Sequence, residues 1–524
     1  MYKLNLNNNL PLLNRSIAEI HQLFRTGQLS PLDLFEQCRQ RIRDTKILNA
    51  FITSTDDFGF DQSTKSTERY RQGETFGLLD GIPISFKDNF STKNIRTTCA
   101  SKMLENYHPP FNATVVEKLF NSGVTIMGKT NMDEFAMGSA CSESYFGPAY
   151  HPWNSNIHCK FYSKSKDPKM IAESKLVDDK NCWFIAGGSS GGSAISVATG
   201  ACFASLSSDT GGSTRNPASR LGIVGFKPSY GLISRYGLIP LTHSLDVPGI
   251  MARNVGDVRL IFNKLHGHDT KDSTTVDVKL NDDDKNLDDL NNLTIGIPVE
   301  YNVENLSPNI SKAWKEAEYM LRDAGVRIKQ ISLPHTEYSL ACYSILNSSE
   351  VASNFACYDG IEYGYRTTKS DQNLEDLYIA TREESLNDIV KSRIIAGNYF
   401  LLSQNYQRFF EKSLQIRRLI SDDFSKVFHE VNFILTPVCL TNTMNYYRWN
   451  QMDQTEEAIR EDYCTQPANM AGLPAISLPF KLDPDNDFLP IGLQLIGQKF
   501  DDYNLLKFSE KFEQLAKFPN LIFE

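Results

Sequence analysis

Three side chains in this 524-residue sequence sit where acyl chemistry could be done. Residues 187–193 read GGSSGGS and residues 209–213 read DTGGS, so Ser189 and Ser213 each lie in a glycine loop. A Gly/Ser run by itself is most often a linker, but this one is flanked by WFIA and by the small-residue, helix-like AISVATGA. Tight glycine loops that lead into a helix leave backbone amides free and present the positive end of the helix dipole. A serine held there reads as a nucleophile with its own oxyanion hole. It also needs a base. The run Gly187-Gly188-Ser189-Ser190-Gly191 fits the G-x-S-x-G elbow, which calls for a later histidine. No later histidine stands out: His266 and His268 lie in HGHD beside an acidic stretch and His243 is isolated in PLTHSLD, so these read as structural or solvated. Lys87, which ends the apolar run of GIPISFKDNF, is the other option, because burial destabilises an ammonium and lets lysine shed its proton near neutrality. A strand-end lysine reaching out to water fits the same pattern.

A second motif points to different chemistry. Gly123–Thr130, GVTIMGKT, satisfies the letters of the phosphate-binding G-x4-G-K-[ST] loop and would make the chain an NTPase. That loop must be open, with its amides facing phosphate, whereas Val124, Thr125, Ile126 and Met127 read as a buried strand.

The elements that must position these residues alternate between two periodicities. Ser16 precedes the helical pattern IAEIHQLF, and Ser30-Pro31 opens a second helix with Leu34, Phe35, Cys38 and Ile42 on one face. From about residue 80, short apolar runs such as GIPISF and VTIMG alternate with helical stretches such as ATVVEKLFNSG, which predicts an α/β fold with a mixed sheet. LTIGIPVE, AWKEAEYMLRDAG and VRIKQISLP continue the alternation as strand, helix and strand. Residues 154–180 are polar and aperiodic, and 269–292 carry the cluster NDDDKNLDDLNN; both read as solvated excursions.

Composition narrows the classes. With 41% hydrophobic and 22% charged residues the chain is globular, and 54 basic against 63 acidic side chains leave no overall nucleic-acid footprint. The cysteines contain no C-x-x-C pair, so a zinc knuckle or thioredoxin-like motif is not expected. Residues 185–208 are uncharged but too rich in glycine and serine to insert in a bilayer. The first fifteen residues lack the apolar run of a secretory leader and the repeated arginines of an organelle presequence, so secretion is not expected and an organelle address is left open.

Lys87 in GIPISFKDNF, Ser189 in GGSSGGS and Ser213 in SDTGGSTRNPAS together resemble the Ser-cisSer-Lys unit of the amidase signature family. TNMDEFAMGS, GFKPSYGLISRYGLIPL and QPANMAGLPAISLPF are similar, in that order, to the branch formed by A subunits of glutamyl-tRNA(Gln) amidotransferases, with SLDVPGI and GGSTRNPA closer to mitochondrial members. The resemblance implies an α/β/α fold whose central mixed sheet is covered by helices on both faces. One domain would span 1–524, with a helical part at about 16–50, the signature core at about 75–265, an acidic loop at 269–292, a C-terminal α/β part at 293–524 and a polar insertion at 154–180. It implies Ser213 as the acyl-forming nucleophile, Ser189 as a proton-relaying serine on a cis peptide, and Lys87 as base. Thr210, Gly211, Gly212 and Ser213 would offer oxyanion amides, and Ser190, Asp209 and Arg215 would hold the two loops. Arg393 and Asp462 would grip the α-carboxylate and α-amino group of glutamine, with Tyr343 in the same pocket. The implied activity is a glutaminase whose ammonia converts Glu-tRNA(Gln). ATP, Mg2+ and tRNA would belong to a B subunit, with a small C subunit bridging the two. No cofactor, metal or membrane is implied for this chain. The implied compartment is the mitochondrion, with the cytoplasm as alternative, and a free-standing amidase acting on small or fatty amides is the competing activity.

Overall fold

Two helices open the described chain, and each is started by a serine. Ser16 accepts from the amide of Glu19, whose carboxylate accepts in return, and helix Ile17–Arg25 follows with Ile17, Ile20 and Phe24 buried. Ser30 and Asp33 form the same reciprocal cap in front of helix Pro31–Asp44, which turns Leu34, Phe35 and Cys38 inward. The computed structural model describes residues 11–153, 183–280, 289–369, 373–453, 457, 460–486 and 488–519. The insertion expected at 154–180 lies outside them.

The core is one 11-stranded sheet. Its strands are β1 (Phe51–Ser54), β2 (Pro83–Lys87), β3 (Thr125–Thr130), β4 (Ala204–Asp209), β5 (Val224–Lys227), β6 (Val247–Ala252), β7 (Thr294–Pro298), β8 (Arg327–Ile331), β9 (Phe433–Pro437), β10 (Ala475–Asp483) and β11 (Leu489–Gly497). Their order is β1-β3-β2-β4-β6-β5-β10-β11-β9-β7-β8. β3, β2 and β4 run parallel, as do β9, β7 and β8; antiparallel pairs join the two groups, so the sheet is mixed, as the alternation predicts.

Helices cover both faces. Neighbouring residues of a strand point to opposite sides. In β5, a Cβ on Gly225 would lie 2.5 Å from Ala218 Cβ of helix Arg215–Leu221. The next residue, Phe226, meets Phe262 of helix Val255–Leu265 edge-on, with centroids 5.4 Å apart.

The register then places the chemistry. β2 and β4 lie side by side with Phe86 opposite Leu206, so their carboxyl ends, Lys87 and Asp209, emerge on the same edge of the sheet. That edge is where α/β sheets form ligand sites. The glycine-rich stretch 185–208 divides into helix Gly191–Ala198 and β4, and among the described residues no helix is long and apolar enough to cross a membrane.

One expectation needs correction. The acidic segment does not begin as a solvated excursion: Asp269 Oδ2 accepts from Thr114 Oγ1 and Ser234 Oγ, each at 2.6 Å, and Asp272 accepts from the Arg235 amide at 2.7 Å. Carboxylates that read as surface charge in sequence are here anchors for flanking loops. Residues 281–288 lie outside the described part.

Candidate active site

Lys87 ends β2 with its side chain fully buried. Its Nζ donates to Ser189 Oγ and Ser190 Oγ, both at 2.8 Å, and to Ser208 Oγ at 3.0 Å. Three hydroxyls therefore meet the three N–H bonds of an ammonium, and none of these partners is a carboxylate. Burial pushes Lys87 down to about 8, against the opposing pull of Asp133. The lysine is thus poised to exchange a proton near neutral pH, and the alternative of a chain-end amine reaching to water is overturned by its complete burial. The Gly188–Ser189 peptide is cis. Ser190 stands at the start of helix Gly191–Ala198, and its hydroxyl donates to the carbonyl of Ser208 at 3.2 Å, tying the first glycine loop to the end of β4.

β4 delivers the second loop. Asp209 receives both arms of Arg215, Nε to Oδ2 at 3.0 Å and Nη2 to Oδ1 at 2.9 Å, and the pair is fully buried. Burial would raise the Asp209 carboxyl, but the guanidinium more than offsets this and holds it at about 2. Asp209 Oδ2 also accepts from the Thr214 amide at 3.1 Å, and Arg215 Nη1 reaches Gln494 Oε1 at 2.6 Å and the Thr465 carbonyl at 3.0 Å. Residues 210–213 are bent between these anchors. Thr210 is fixed by its hydroxyl to Asp246 Oδ1 at 2.7 Å. Among the described residues, the amides of Gly211, Gly212 and Ser213 meet no protein acceptor. They are available to a developing oxyanion. The glycines are required by close approach: a Cβ on Gly211 would lie 2.9 Å from the Tyr343 hydroxyl, and one on Gly212, at φ 150°, would overlap Thr465 Oγ1.

Ser213 faces a cavity of about 490 Å³ whose walls also carry Tyr343, Arg393, Trp449, Asp462 and Gln466. The structure thus brings the expected pocket residues to the nucleophile loop, while Lys87 and Ser189 are fully buried and do not line the cavity. Arg393 projects from helix Asp388–Leu401 and donates through Nη1 to Asn347 Oδ1 at 2.9 Å. Asp462 Oδ2 accepts a long bond from Ser139 Oγ at 3.4 Å, and its Oδ1 is buried with no partner among the described residues. Burial, then the neighbouring Glu461 and Asp209, raise the Asp462 carboxyl well above the usual range. Such a group calls for a cation. The cavity therefore holds a nucleophile loop, a guanidinium and a buried carboxyl that a bound ammonium would ionise, a pair of groups that an amino-acid backbone could bridge.

The family model described as Amidase matches residues 33–159 and 180–506. The chain belongs to the amidase family. It is similar to the mitochondrial A subunit of glutamyl-tRNA(Gln) amidotransferase from Canis lupus familiaris, with 48% identity over 510 residues that cover 97% of this chain and 95% of that protein. The Homo sapiens protein of the same name is 46% identical over 511 residues, with shares of 97% and 95%. Among solved structures, the A subunit of glutamyl-tRNA(Gln) amidotransferase from Thermotoga maritima is 30% identical with a TM-score of 0.74 and covers 98% of this chain and 99% of that one. A bacterial aryl acylamidase of the amidase signature family shares the fold, with a TM-score of 0.78, 22% identity and shares of 96% and 96%.

Within this amidase chain the competing motif folds as a strand. Thr125–Thr130 is β3 and wholly buried, and Lys129 Nζ donates to the Phe90 carbonyl and Thr97 Oγ1, each at 2.7 Å, with Asp88 at 3.6 Å. No open loop exists there to receive phosphate. The histidines are also placed elsewhere: His266 pairs with Tyr503 at 3.1 Å, His268 with Thr275 at 3.1 Å, and His243 is exposed beside Arg235.

Sequence reasoning missed the residues that brace the amidase site. Asp133, inside TNMDEFAMGS, accepts from the amides of Cys141 and Glu143, both at 3.0 Å, while its own amide donates to the Ser189 carbonyl at 3.3 Å. A Cβ on Gly188 would overlap Asp133 Oδ2, so the loop before Ser189 must be glycine. Ser208 and Asn89 carry no role in the sequence reading; Asn89 Nδ2 donates to Ser208 Oγ at 3.0 Å and orients the hydroxyl that accepts from Lys87. Their signal is proximity in sequence: Ser208 precedes Asp209 in β4 and Asn89 follows Lys87 by two residues.

Proposed function

We propose that this chain is the glutamine-hydrolysing component of a mitochondrial glutamyl-tRNA(Gln) amidotransferase, the member its relatives name A. The observation that carries the reading is that Ser213, Arg393 and Asp462 line one cavity, with an unpartnered Asp462 oxygen in its wall. An amidase for fatty or aryl amides has no use for that charge pair. Free glutamine brings an α-carboxylate for Arg393 and an α-ammonium for Asp462, and its side-chain amide extends toward Ser213. The names of the relatives support the reaction, the place in the complex and the compartment.

In this mechanism Ser213 Oγ attacks the carboxamide carbon of glutamine and its proton passes through the Ser189 hydroxyl to neutral Lys87. The carbonyl oxygen becomes an oxyanion among the amides of Gly211, Gly212 and Ser213. Collapse of the adduct breaks the C–N bond, and Lys87 returns the proton through Ser189 to the departing nitrogen, which leaves as ammonia. Water then attacks the γ-glutamyl ester by the same relay, releasing glutamate and restoring Ser213. Ammonia passes to a B subunit that uses ATP and Mg2+ to amidate Glu-tRNA(Gln), with a C subunit bridging the two. Tyr343 closes the wall over Gly211.

The test is ammonia release from glutamine by the full chain, alone and co-expressed with B and C subunits. Activity that disappears in Ser213→Ala supports the reading. Rapid hydrolysis of uncharged amides with none of glutamine overturns it in favour of a free-standing amidase.

A further inference from the structure

The motif TNMDEFAMGS does more than border the cis serine. Asp133 faces the Gly188–Ser189 loop, and the next residue, Glu134, faces the opposite way into the C-terminal half. Glu134 is almost fully buried. Its Oε2 accepts from the backbone amide of Asn387 at 2.8 Å, and its Oε1 accepts from Ser101 Oγ. Asn387 caps helix Asp388–Leu401 through its own side chain, which accepts from the Val390 amide at 2.9 Å. Arg393 stands on the second turn of that helix. The span from Glu134 to Asn387 crosses 253 positions of sequence in one hydrogen bond.

Three other features show that this segment is held under constraint. Phe135, Ala136 and Cys141 have φ of 49°, 65° and 58°, a left-handed region that side chains other than glycine rarely adopt and that persists only when surrounding contacts fix it. The Glu134 amide donates to the Glu143 carbonyl at 3.0 Å, closing the segment on itself. Ser139, on the same segment, reaches Asp462.

We propose that Glu134 is a positioning residue for substrate recognition: through the capped start of helix Asp388–Leu401 it sets Arg393 at a fixed distance from the serine relay that Asp133 holds. This deepens the glutaminase reading and rests on it. Glu134 does not touch the reacting atoms. Its effect falls on the grip of the substrate carboxylate, so it separates glutamine from an amide that carries no carboxylate.

The experiment compares the full chain, co-expressed with its partner subunits, in wild-type, Glu134→Met, Glu134→Gln and Ser101→Ala forms. Methionine matches the length of glutamate, so the side chain can be accommodated without its acceptor oxygens. Glu134→Met is expected to raise the KM for glutamine about 10-fold, through loss of the acceptor that holds the Asn387 amide together with the Ser101 contact, with kcat within about twofold. Hydrolysis of butyramide should stay within about twofold of wild type, since no carboxylate is lost. Glu134→Gln keeps one acceptor for the Asn387 amide, and the Ser101 hydroxyl can turn to accept from its NH2, so it should restore most of the KM. Ser101→Ala removes the lesser partner and should raise KM about two- to threefold, and it carries the test if Glu134→Met does not fold. Amide hydrogen exchange at Asn387 gives a readout that needs no glutamine: it should quicken in Glu134→Met. Equal losses on both substrates, an unchanged glutamine KM, or unchanged exchange at Asn387 would overturn the proposal. A wild-type complex that ignores glutamine while exchange at Asn387 responds as expected condemns the glutaminase reading and leaves the tie between Glu134 and the helix standing.

Discussion

The lysine–serine cluster and the Arg393–Asp462 pair serve one cavity but differ in how finished they are. Around Lys87 each N–H direction already has a serine oxygen, and Asp209 and Arg215 satisfy one another in a buried bidentate pair. At the other wall, Asp462 keeps a buried oxygen with no partner among the described residues, and the Arg393 guanidinium rests on a neutral ligand, Asn347. The first region is satisfied by its own side chains; the second keeps open groups that the proposed substrate would complete. Machinery that only moves a proton and accepts an acyl group can be prebuilt in a closed network, whereas discrimination requires charges left open for the ligand to neutralise.

Breaking the closed region should have the largest effects. Ser213→Ala removes the covalent route and should reduce ammonia release by roughly three orders of magnitude or more while the melting temperature holds, since little packing is lost in a glycine loop. Lys87→Arg should fail to the same extent, because guanidinium cannot give up its proton in a protein. An active arginine variant would exclude lysine as the base. Asp209→Asn leaves Arg215 buried without its counter-ion and should destabilise the fold by about 3–5 kcal/mol in denaturant unfolding. Its loss of activity should track that loss of stability, which marks Asp209 as part of the frame that holds the Ser213 loop.

Opening the second region further should change substrate preference and leave the fold alone. Asp462→Asn should lower kcat/KM for glutamine by tens to about a hundredfold, because a charge-assisted hydrogen bond is worth about 1.5–3 kcal/mol. The rate on a simple amide should hardly move. The ratio of the two substrates is the measurement, and a parallel fall would assign Asp462 to the frame.

The two regions should also respond differently to pH. Lys87 must be neutral to accept the Ser213 proton, and burial places it at about 8. The kcat/KM of a simple amide should therefore rise with pH, by about tenfold per unit below that value, and level off above it, while that of glutamine should rise more steeply because the raised Asp462 carboxyl must also ionise to meet its ammonium. Because the group is a base whose active form is the deprotonated one, a rate that falls through this range contradicts the assignment. Asp462→Asn should lower the curve for glutamine and return its limb to that of the simple amide.

The same division decides what could be read from the amino-acid sequence. Ser189, Ser213 and Lys87 were legible because their neighbours in the chain announce them: glycines that keep bulk away, and an apolar strand that ends on a charge. The strand nature of Thr125–Thr130 was legible against a matching phosphate motif for a similar local reason, since apolar residues fill the positions an open loop needs. The periodicity also located the opening helices and the mixed sheet. Arg393, Asp462 and Tyr343 came from resemblance alone; no local pattern marks them, because their meeting in one cavity depends on segments distant in sequence. Asp133, Glu134 and Asn347 were not found at all. A buried carboxylate or amide that braces a remote loop looks, in sequence, like any polar residue in a turn or on a helix.

Asn347 offers the finest test of the difference. Its Oδ1 accepts from Arg393 Nη1 at 2.9 Å while its Nδ2 donates to Thr242 Oγ1 at 2.7 Å, and the side chain is buried in helix Ser339–Asn354, one turn from Tyr343. It aims the guanidinium without supplying charge. Asn347→Leu keeps the branched shape and leaves Arg393 able to meet a carboxylate; the lost bond to Thr242 falls on stability, so the cost to substrate binding is one neutral partner of a charged group and some freedom regained by a long side chain. That amounts to about 1 kcal/mol, or roughly fivefold in the KM for glutamine, with no change for an amide lacking the α-carboxylate. Arg393→Met should cost several times more. If Asn347 acts only through Arg393, the double variant should be no worse than Arg393→Met alone, since the second substitution removes an interaction already gone. Additive losses would mean that Asn347 holds the cavity wall independently, and the open region would then be more self-supporting than its unpartnered atoms indicate.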